Sequence, residues 1–287
     1  MNVNFGLTAS DYAKHRAGFP DAFFERVFNE GIIKIGDALV DLGTGTGTLA
    51  SGFAQRGCNV IGLDISAQML AQAKDLSQQA GLEIDFRFAK AEATGLPDDS
   101  FDVVTAGQSW HWFDRPNASL EVKRILKPNG RVVIAHFDWL PLKGNVVDIT
   151  ERLIQTYNPK WYTEFGGKTG IYPEWLRDLS EAGFLDIQTF SFDLDVPYTH
   201  EDWRGRIRAS SGVGASLSNE EVGRFDSELK SLLEALEQIT AVATPAPHAT
   251  AVPEAKRSGS AGEREAGSHP VLKIPHRVFV AHACKPK

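Results

Sequence analysis

Leu39-Val40-Asp41-Leu42-Gly43-Thr44-Gly45-Thr46-Gly47-Thr48-Leu49-Ala50 is the stretch of sequence that decides the fold. The apolar run that ends at Leu42 predicts a buried β-strand, and the glycines after it predict a sharp turn into a helix that begins near Thr46 or Gly47. Glycine has no Cβ atom, so a ligand can approach the main chain closely and a positive φ costs little. The first N–H groups of a helix lack partners within the helix and favour a bound carboxylate or phosphate. The stretch therefore predicts a strand, a turn and a helix that together bind a ligand.

The spacing of these glycines indicates which ligand is bound. A dinucleotide fingerprint, G-x-G-x-x-G, would need glycine at position 48, where the chain has Thr48. The pattern is instead D-x-G-x-G-x-G from Asp41, and the next predicted strand, 58–64, ends in an acid, Asp64. These features resemble the class I S-adenosylmethionine-dependent methyltransferases, although glycine-rich turns also occur where a helix only needs to pack tightly on a strand. The resemblance implies an α/β fold with a Rossmann-like, doubly wound, seven-stranded sheet that is mostly parallel with an antiparallel last strand, helices on both faces and an aromatic lid.

The resemblance implies S-adenosylmethionine as the cofactor. Asp64, at the carboxyl end of its strand, would accept hydrogen bonds from the ribose diol. The turn over 90–97 resembles the adenine-binding turn of the family, but it begins with Lys90 where many members have an acid. Adenine recognition would therefore fall to the backbone of Ala91 and the carboxylate of Glu92. Tyr12 and Arg16 would close over the methionine end, with a solvated surface arginine as the alternative for Arg16. The expected cofactor contacts are Tyr12, Arg16, Asp41, Gly43, Thr44, Gly45, Gly47, Asp64, Ile65, Met69, Ala91, Glu92 and Gln108.

Residues 107–114 follow the predicted fourth strand, 101–106, and carry an amide, an imidazole and three aromatic rings. This segment resembles the corresponding part of small-molecule methyltransferases, including those that methylate small carboxylic acids. Aromatic faces attract the positive sulfonium and exclude water. We expect Trp110, His111 and Trp112 to line the substrate pocket, and His111 to act as the general base or as the donor that orients the nucleophile. The alternative is that these rings are packing residues.

The predicted reaction is methyl transfer from S-adenosylmethionine to an oxygen, nitrogen or carbon of a small molecule, such as a small carboxylic acid. Two other classes of protein remain open: one that binds S-adenosylmethionine without catalysis, and an NAD-dependent oxidoreductase. The absence of glycine at position 48 argues against the oxidoreductase.

Composition limits the partners. The 30 Lys and Arg against 37 Asp and Glu give a net charge of −7, with no concentrated basic surface, so nucleic acid is not expected to bind. Two cysteines predict neither a disulfide framework nor a metal centre. No apolar run approaches the roughly 20 residues of a membrane span, and the start of the chain does not resemble a secretory signal. We expect a cytoplasmic monomer or homodimer that acts on a small molecule.

The chain divides into two halves of one domain. Residues 1–137 would form N-terminal helices and the cofactor-binding half, and residues 138–287 would add the lid, the remaining strands and the C-terminal helices. The lid, 138–165, is rich in aromatic residues but too irregular for a single helix. The basic run at 203–208 is expected to be a solvated helix face, with contact to an anionic substrate as the alternative. Residues 240–270 are rich in Ala, Pro, Gly, Ser and Glu and are expected to be a disordered insert.

Overall fold

A computed structural model describes residues 18–161, 169–243 and 271–287 of the chain. The strands are β1 (Ala38–Leu42), β2 (Asn59–Asp64), β3 (Asp85–Phe88), β4 (Phe101–Gly107), β5 (Leu126–Trp139), β6 (Leu185–Thr199) and β7 (Val271–Cys284). The helices are α1 (Asp21–Asn29), α2 (Thr48–Ala54), α3 (Ala67–Gln79), α4 (Arg115–Ile125), α5 (Val146–Tyr157), α6 (Glu174–Glu181), α7 (His200–Arg208) and α8 (Asn219–Ala243).

The seven strands form a single sheet in the order β3-β2-β1-β4-β5-β7-β6. Strands β1 to β5 pair in parallel, and β7 runs antiparallel to both of its neighbours, β5 and β6. The strand order reverses between β1 and β4, and ligands of open α/β sheets bind at the carboxyl ends of the strands beside such a point. The predicted Rossmann-like sheet with an antiparallel last strand is confirmed, and the glycine turn lies at this reversal.

Alternate side chains of each central strand point to opposite faces of the sheet. On β1, Val40 and Leu42 belong to one apolar cluster, whereas Leu39 belongs to the cluster on the other face. A third cluster forms where α5, α7 and α8 pack together beside the ends of β6 and β7, with Trp203 and Phe225 fully buried in it. This added layer supplies one wall of the site described below.

The burial of one predicted strand differs from its sequence pattern. Leu82, Ile84, Phe86 and Phe88 alternate with polar residues, which predicts a strand with all four on its buried face, but β3 is a four-residue edge strand and Phe88 is 67% exposed. Residues 138–165 were predicted to be too irregular for a single helix, and within this span the structure has the end of β5, a connection and one helix at Val146–Tyr157. Its buried face includes Thr150 and Glu151, which bind the indole N–H groups of Trp203 and Trp139, so the apolar pattern that signals a helix is interrupted by polar residues.

No helix among residues 18–161, 169–243 and 271–287 is both long enough and apolar enough to cross a bilayer. Residues 244–270, which include most of the predicted disordered insert, lie outside the described residues, whereas positions 240–243 belong to α8.

Candidate functional site

The glycine turn after β1 has the geometry that only glycine adopts readily. Gly43, Gly45 and Gly47 have φ values of +62°, +57° and +79°. A Cβ atom on Gly43 would lie 2.6 Å from the Cβ atom of Ser109, and one on Gly47 would lie 3.0 Å from the Phe86 ring. A Cβ atom on Gly45 would meet no atom within 4 Å. The main chain at Gly45 is therefore open to the adjacent cavity, while Gly43 and Gly47 shape the turn.

Asp41 lies beneath the turn rather than in the cavity. It is 1% exposed, and its carboxylate accepts hydrogen bonds from the hydroxyls of Thr44 at 2.7 Å and Thr105 at 2.8 Å. Burial raises the pKa of Asp41 to about 6, although both hydroxyls oppose the shift. The expected cofactor contact at Asp41 is corrected: this side chain ties the turn to β4. Gly47 likewise does not line the cavity, because its Cα faces Phe86 and Ala73.

Asp64 ends β2 and faces the cavity, as predicted. One carboxylate oxygen accepts the N–H of Gly45 at 2.8 Å, and the other accepts the N–H of Ser66 at 2.8 Å. The Ser66 hydroxyl in turn caps α3 by accepting the N–H of Met69 at 3.3 Å. Each carboxylate oxygen has a second lone pair, so Asp64 can bind the turn and two ligand hydroxyls together.

Four more of the predicted cofactor contacts lie on the cavity wall, two after β2 and two in the turn after β3. Ile65, Met69, Ala91 and Glu92 line the cavity together with Thr44. The Glu92 carboxylate accepts the N–H of Asp114 at 2.8 Å, which joins this turn to the start of α4.

Gln108 lines the cavity but uses its side chain to bind the protein. Its amide donates to the carbonyl of Phe137 at 2.8 Å, and its own φ of +56° is unusual for a residue with a side chain. Gln108 thus joins the ends of β4 and β5 at the middle of the site. Tyr12 and Arg16 lie outside the described residues.

The cavity has a volume of about 1310 Å³ and extends from the glycine turn past Gln108 to a second group of polar residues. His136 and Asp138, at the end of β5, line this second part together with Tyr172. Nδ1 of His136 lies 2.8 Å from Oδ1 of Asp138, and the Tyr172 hydroxyl donates to the other carboxylate oxygen. Because the carboxylate accepts, Nδ1 of His136 carries the proton and Nε2 keeps a lone pair. Nε2 is buried and has no hydrogen-bond partner among the described residues.

Burial and electrostatic interactions shift the pKa of Asp138 in opposite directions. Burial favours a raised pKa for Asp138, but electrostatic interaction with His136 and His111 and the hydrogen bonds from His136 and Tyr172 hold its pKa below the ordinary value. Burial and the Asp138 charge raise the pKa of Tyr172, so its hydroxyl stays protonated. Asp138 therefore remains an anion that orients the imidazole of His136.

The predicted substrate-pocket residues separate into two groups. His111 and Trp112 line the cavity, and the His111 ring centroid lies 5.3 Å from that of His136. Trp110 does not line it: the side chain is 1% exposed, and its indole N–H donates to Asp178 at 3.0 Å. The expectation for Trp110 is corrected, because the short 3-10 helix at Trp110–Trp112 turns this ring into the core.

The three arginines of α7 do not share one environment. Arg204 and Arg208 both bind Asp226 and Glu201 near the protein surface. Arg206 instead lines the cavity, with its guanidinium carbon 4.7 Å from the centroid of the Trp139 ring. The expected solvated face is therefore wrong for Arg206.

The comparisons with known proteins agree with this geometry. A family model described as a methyltransferase domain matches residues 40–134. An uncharacterized methyltransferase of Schizosaccharomyces pombe is 25% identical over 233 residues, 81% of this chain and 88% of that protein. The YcgJ protein of Bacillus subtilis, named an uncharacterized methyltransferase, is 34% identical over 193 residues, 62% of this chain and 72% of that protein.

A solved structure extends the similarity to the fold. The phosphoethanolamine N-methyltransferase 2 of Haemonchus contortus, in complex with S-adenosylhomocysteine, superposes with a TM-score of 0.54 at 18% identity, over 97% of this chain and 57% of that one. Some further curated relatives are matched over only about half of their own length, 46% to 51%. The match to YcgJ, the strand order and the D-x-G-x-G-x-G turn all indicate the same family. The chain therefore belongs to the class I S-adenosylmethionine-dependent methyltransferase family.

Proposed function

We propose that this protein transfers the methyl group of S-adenosylmethionine, the cofactor of its family, to an oxygen, nitrogen or carbon atom of a small molecule, with small carboxylic acids among the acceptors. The observation that carries the proposal is the continuous cavity, which has the glycine turn and Asp64 at one end and His111, His136 and Tyr172 at the other. A cofactor site and an acceptor site must share one enclosed space for direct transfer.

The residues of the first end fit the cofactor. The open main chain at Gly45 leaves room for a ligand, and the Asp64 carboxylate, fixed by two backbone N–H groups, presents its remaining lone pairs to the cavity. Ala91 and Glu92 line the same cavity and would bind the adenine ring. When bound, the cofactor supplies a methyl group on a positively charged sulfur, which aromatic rings and nearby carboxylates stabilise.

The residues at the opposite end of the cavity bind the acceptor and accept its proton. His136 takes the acceptor's proton at Nε2, while Asp138 holds the imidazole in the required tautomer and stabilises the imidazolium that forms. Tyr172 fixes Asp138 through its hydroxyl. His111, whose ring adjoins that of His136, serves as a second base or as the donor that orients the nucleophile. Trp112 and Trp139 line the cavity and present aromatic rings to it.

The test is methyl transfer from S-adenosylmethionine labelled on the methyl group to a panel of small carboxylic acids, phenols, amines and activated carbon acids. The proposal expects label in at least one acceptor class and equimolar S-adenosylhomocysteine. Binding of S-adenosylmethionine with no transfer to any class would instead support a protein that binds the cofactor without catalysis.

A further inference from the structure

The side chain of Arg206 leaves α7 on the opposite side from those of Arg204 and Arg208. Arg204 and Arg208 are four residues apart and lie on one side of the helix, where both bind Asp226. Residue 206 is two positions from each, a rotation of about 200°, so its side chain leaves from the opposite side. Arg206 thereby reaches the cavity at its acceptor end.

The guanidinium of Arg206 is held in place by a rigid aromatic wall. Its central carbon lies 4.7 Å from the centroid of the Trp139 ring, a distance typical of a cation over an aromatic face. The indole N–H of Trp139 donates to Glu151 at 2.8 Å, and the ring packs edge-on against the fully buried Trp203. Stacking uses the face of the guanidinium and one hydrogen bond goes to Tyr198, so the remaining N–H groups at the edge are available to a ligand.

No carboxylate among residues 18–161, 169–243 and 271–287 forms an ion pair with Arg206. Asp138 attracts it from a distance, but that carboxylate is already bound by His136 and Tyr172. Burial lowers the pKa of Arg206, and an arginine nonetheless stays charged at neutral pH. The neighbouring His276 is neutral there, because burial, with Arg206 close by, lowers its pKa to about 4.

Arg206 is half-buried, and a cation that loses hydration without gaining an equal attraction to a carboxylate destabilises a folded protein. Such a group in a cavity is a candidate for ligand binding. The ligand chemistry follows from the charge: a carboxylate carries one negative charge and matches the paired N–H groups of a guanidinium edge. A phosphate dianion would leave excess negative charge near Asp138.

We propose that Arg206 binds a carboxylate of the methyl acceptor and so selects carboxylic acids as the substrate class. The proposal rests on the proposed function, because it assigns the acceptor end of the same cavity. Arg206 acts by positioning: it fixes one end of the acceptor while the reacting atom lies toward His111 and His136.

The experiment is calorimetric titration of matched acid and amide pairs, namely hexanoate with hexanamide and phenylacetate with phenylacetamide, in the presence of saturating S-adenosylhomocysteine. Inorganic phosphate is titrated in parallel. The wild type should bind at least one acid about tenfold or more tightly than its amide, which is the expected effect of a charge-assisted bidentate contact. Arg206→Gln should abolish that preference, and Arg206→Lys, which keeps the charge without the planar edge, should retain part of it.

Arg208→Gln is the matched control, because it removes the same charge from the same helix outside the cavity. It should leave the acid preference within twofold of the wild type. The proposal is overturned if neither pair shows a preference for the acid, if Arg206→Gln keeps the preference, or if phosphate binds more tightly than both acids. Thermal melting checks that Arg206→Gln folds, and Arg206→Lys decides the question if it does not.

S-adenosylhomocysteine is titrated first into every variant. Failure of the wild type to bind it contradicts the proposed function, and the acid and amide pairs are then titrated without it to judge Arg206 separately. Normal S-adenosylhomocysteine binding with no acid preference overturns the Arg206 proposal alone.

Discussion

Removing the charge of Asp64 should weaken cofactor binding strongly. In the structure each Asp64 oxygen accepts one backbone N–H at 2.8 Å, from Gly45 and from Ser66, and each keeps a lone pair for a ribose hydroxyl. Asp64→Asn keeps the size of the side chain, but its amide nitrogen cannot accept. Loss of hydrogen bonds to a charged acceptor costs about 1.5 to 3 kcal/mol, which corresponds to about 10- to 160-fold weaker binding of S-adenosylhomocysteine.

The assay is calorimetric titration of S-adenosylhomocysteine into the wild type and Asp64→Asn. The change also leaves one backbone N–H of the turn without its acceptor, so urea unfolding should show a loss of about 1 kcal/mol or more. Asp85→Asn is the matched control, because Asp85 begins β3, is half exposed and pairs with Arg87 outside the cavity. Affinity within twofold of the wild type in a folded Asp64→Asn protein would refute the assignment of Asp64 to the ribose.

The other predictions concern stability, turnover and the insert. Because burial raises the pKa of Asp41 from 3.8 to about 6, its contribution to stability is complete below about pH 4 and is lost as the pH rises through about 6. Urea unfolding between these pH values should show a decline in the wild type that is absent in Asp41→Asn, and parallel curves would contradict the burial argument. Once an acceptor is known, His136→Gln should lower turnover about 10²-fold with cofactor affinity unchanged, and His111→Gln should do the same if it is a second base. A change confined to the acceptor's KM would make either histidine a positioning residue. Excising residues 245–268, which contain no aromatic residue, should leave the melting temperature and the cofactor affinity nearly unchanged. The reason is that shortening a connection changes its closure entropy little. A large loss of melting temperature or cofactor affinity would contradict this prediction.

The cofactor end of the site was predictable from sequence because its signals are local. The spacing of Gly43, Gly45 and Gly47 requires positive φ values within five residues, and Asp64 is marked by the end of its own apolar strand. The sheet brings these two segments together through the pairing of β1 with β2. The sequence could not show that the buried Asp41 accepts hydrogen bonds from Thr44 and Thr105, since Thr105 is 64 residues away.

The acceptor end depends on contacts between distant segments. His136 and Asp138 belong to one strand, but Tyr172 comes from the segment before α6 and Arg206 from α7. One signal was available: His136 and Asp138 are two positions apart at the end of an apolar run, and they face the same side of the sheet once the strand continues through both. The signal that separates Arg206 from Arg204 and Arg208 is weaker, because Asp226, which binds the latter two, lies on α8 and becomes their neighbour only when α7 packs on that helix.

The central claim is that this cavity binds S-adenosylmethionine rather than a nicotinamide dinucleotide. Parallel calorimetric titrations of the wild type with S-adenosylmethionine, S-adenosylhomocysteine and NAD test it directly. The account predicts one-to-one binding of the first two and no binding of NAD, because the turn has Thr48 where a dinucleotide fingerprint needs glycine. Binding of NAD without binding of S-adenosylhomocysteine would contradict the account.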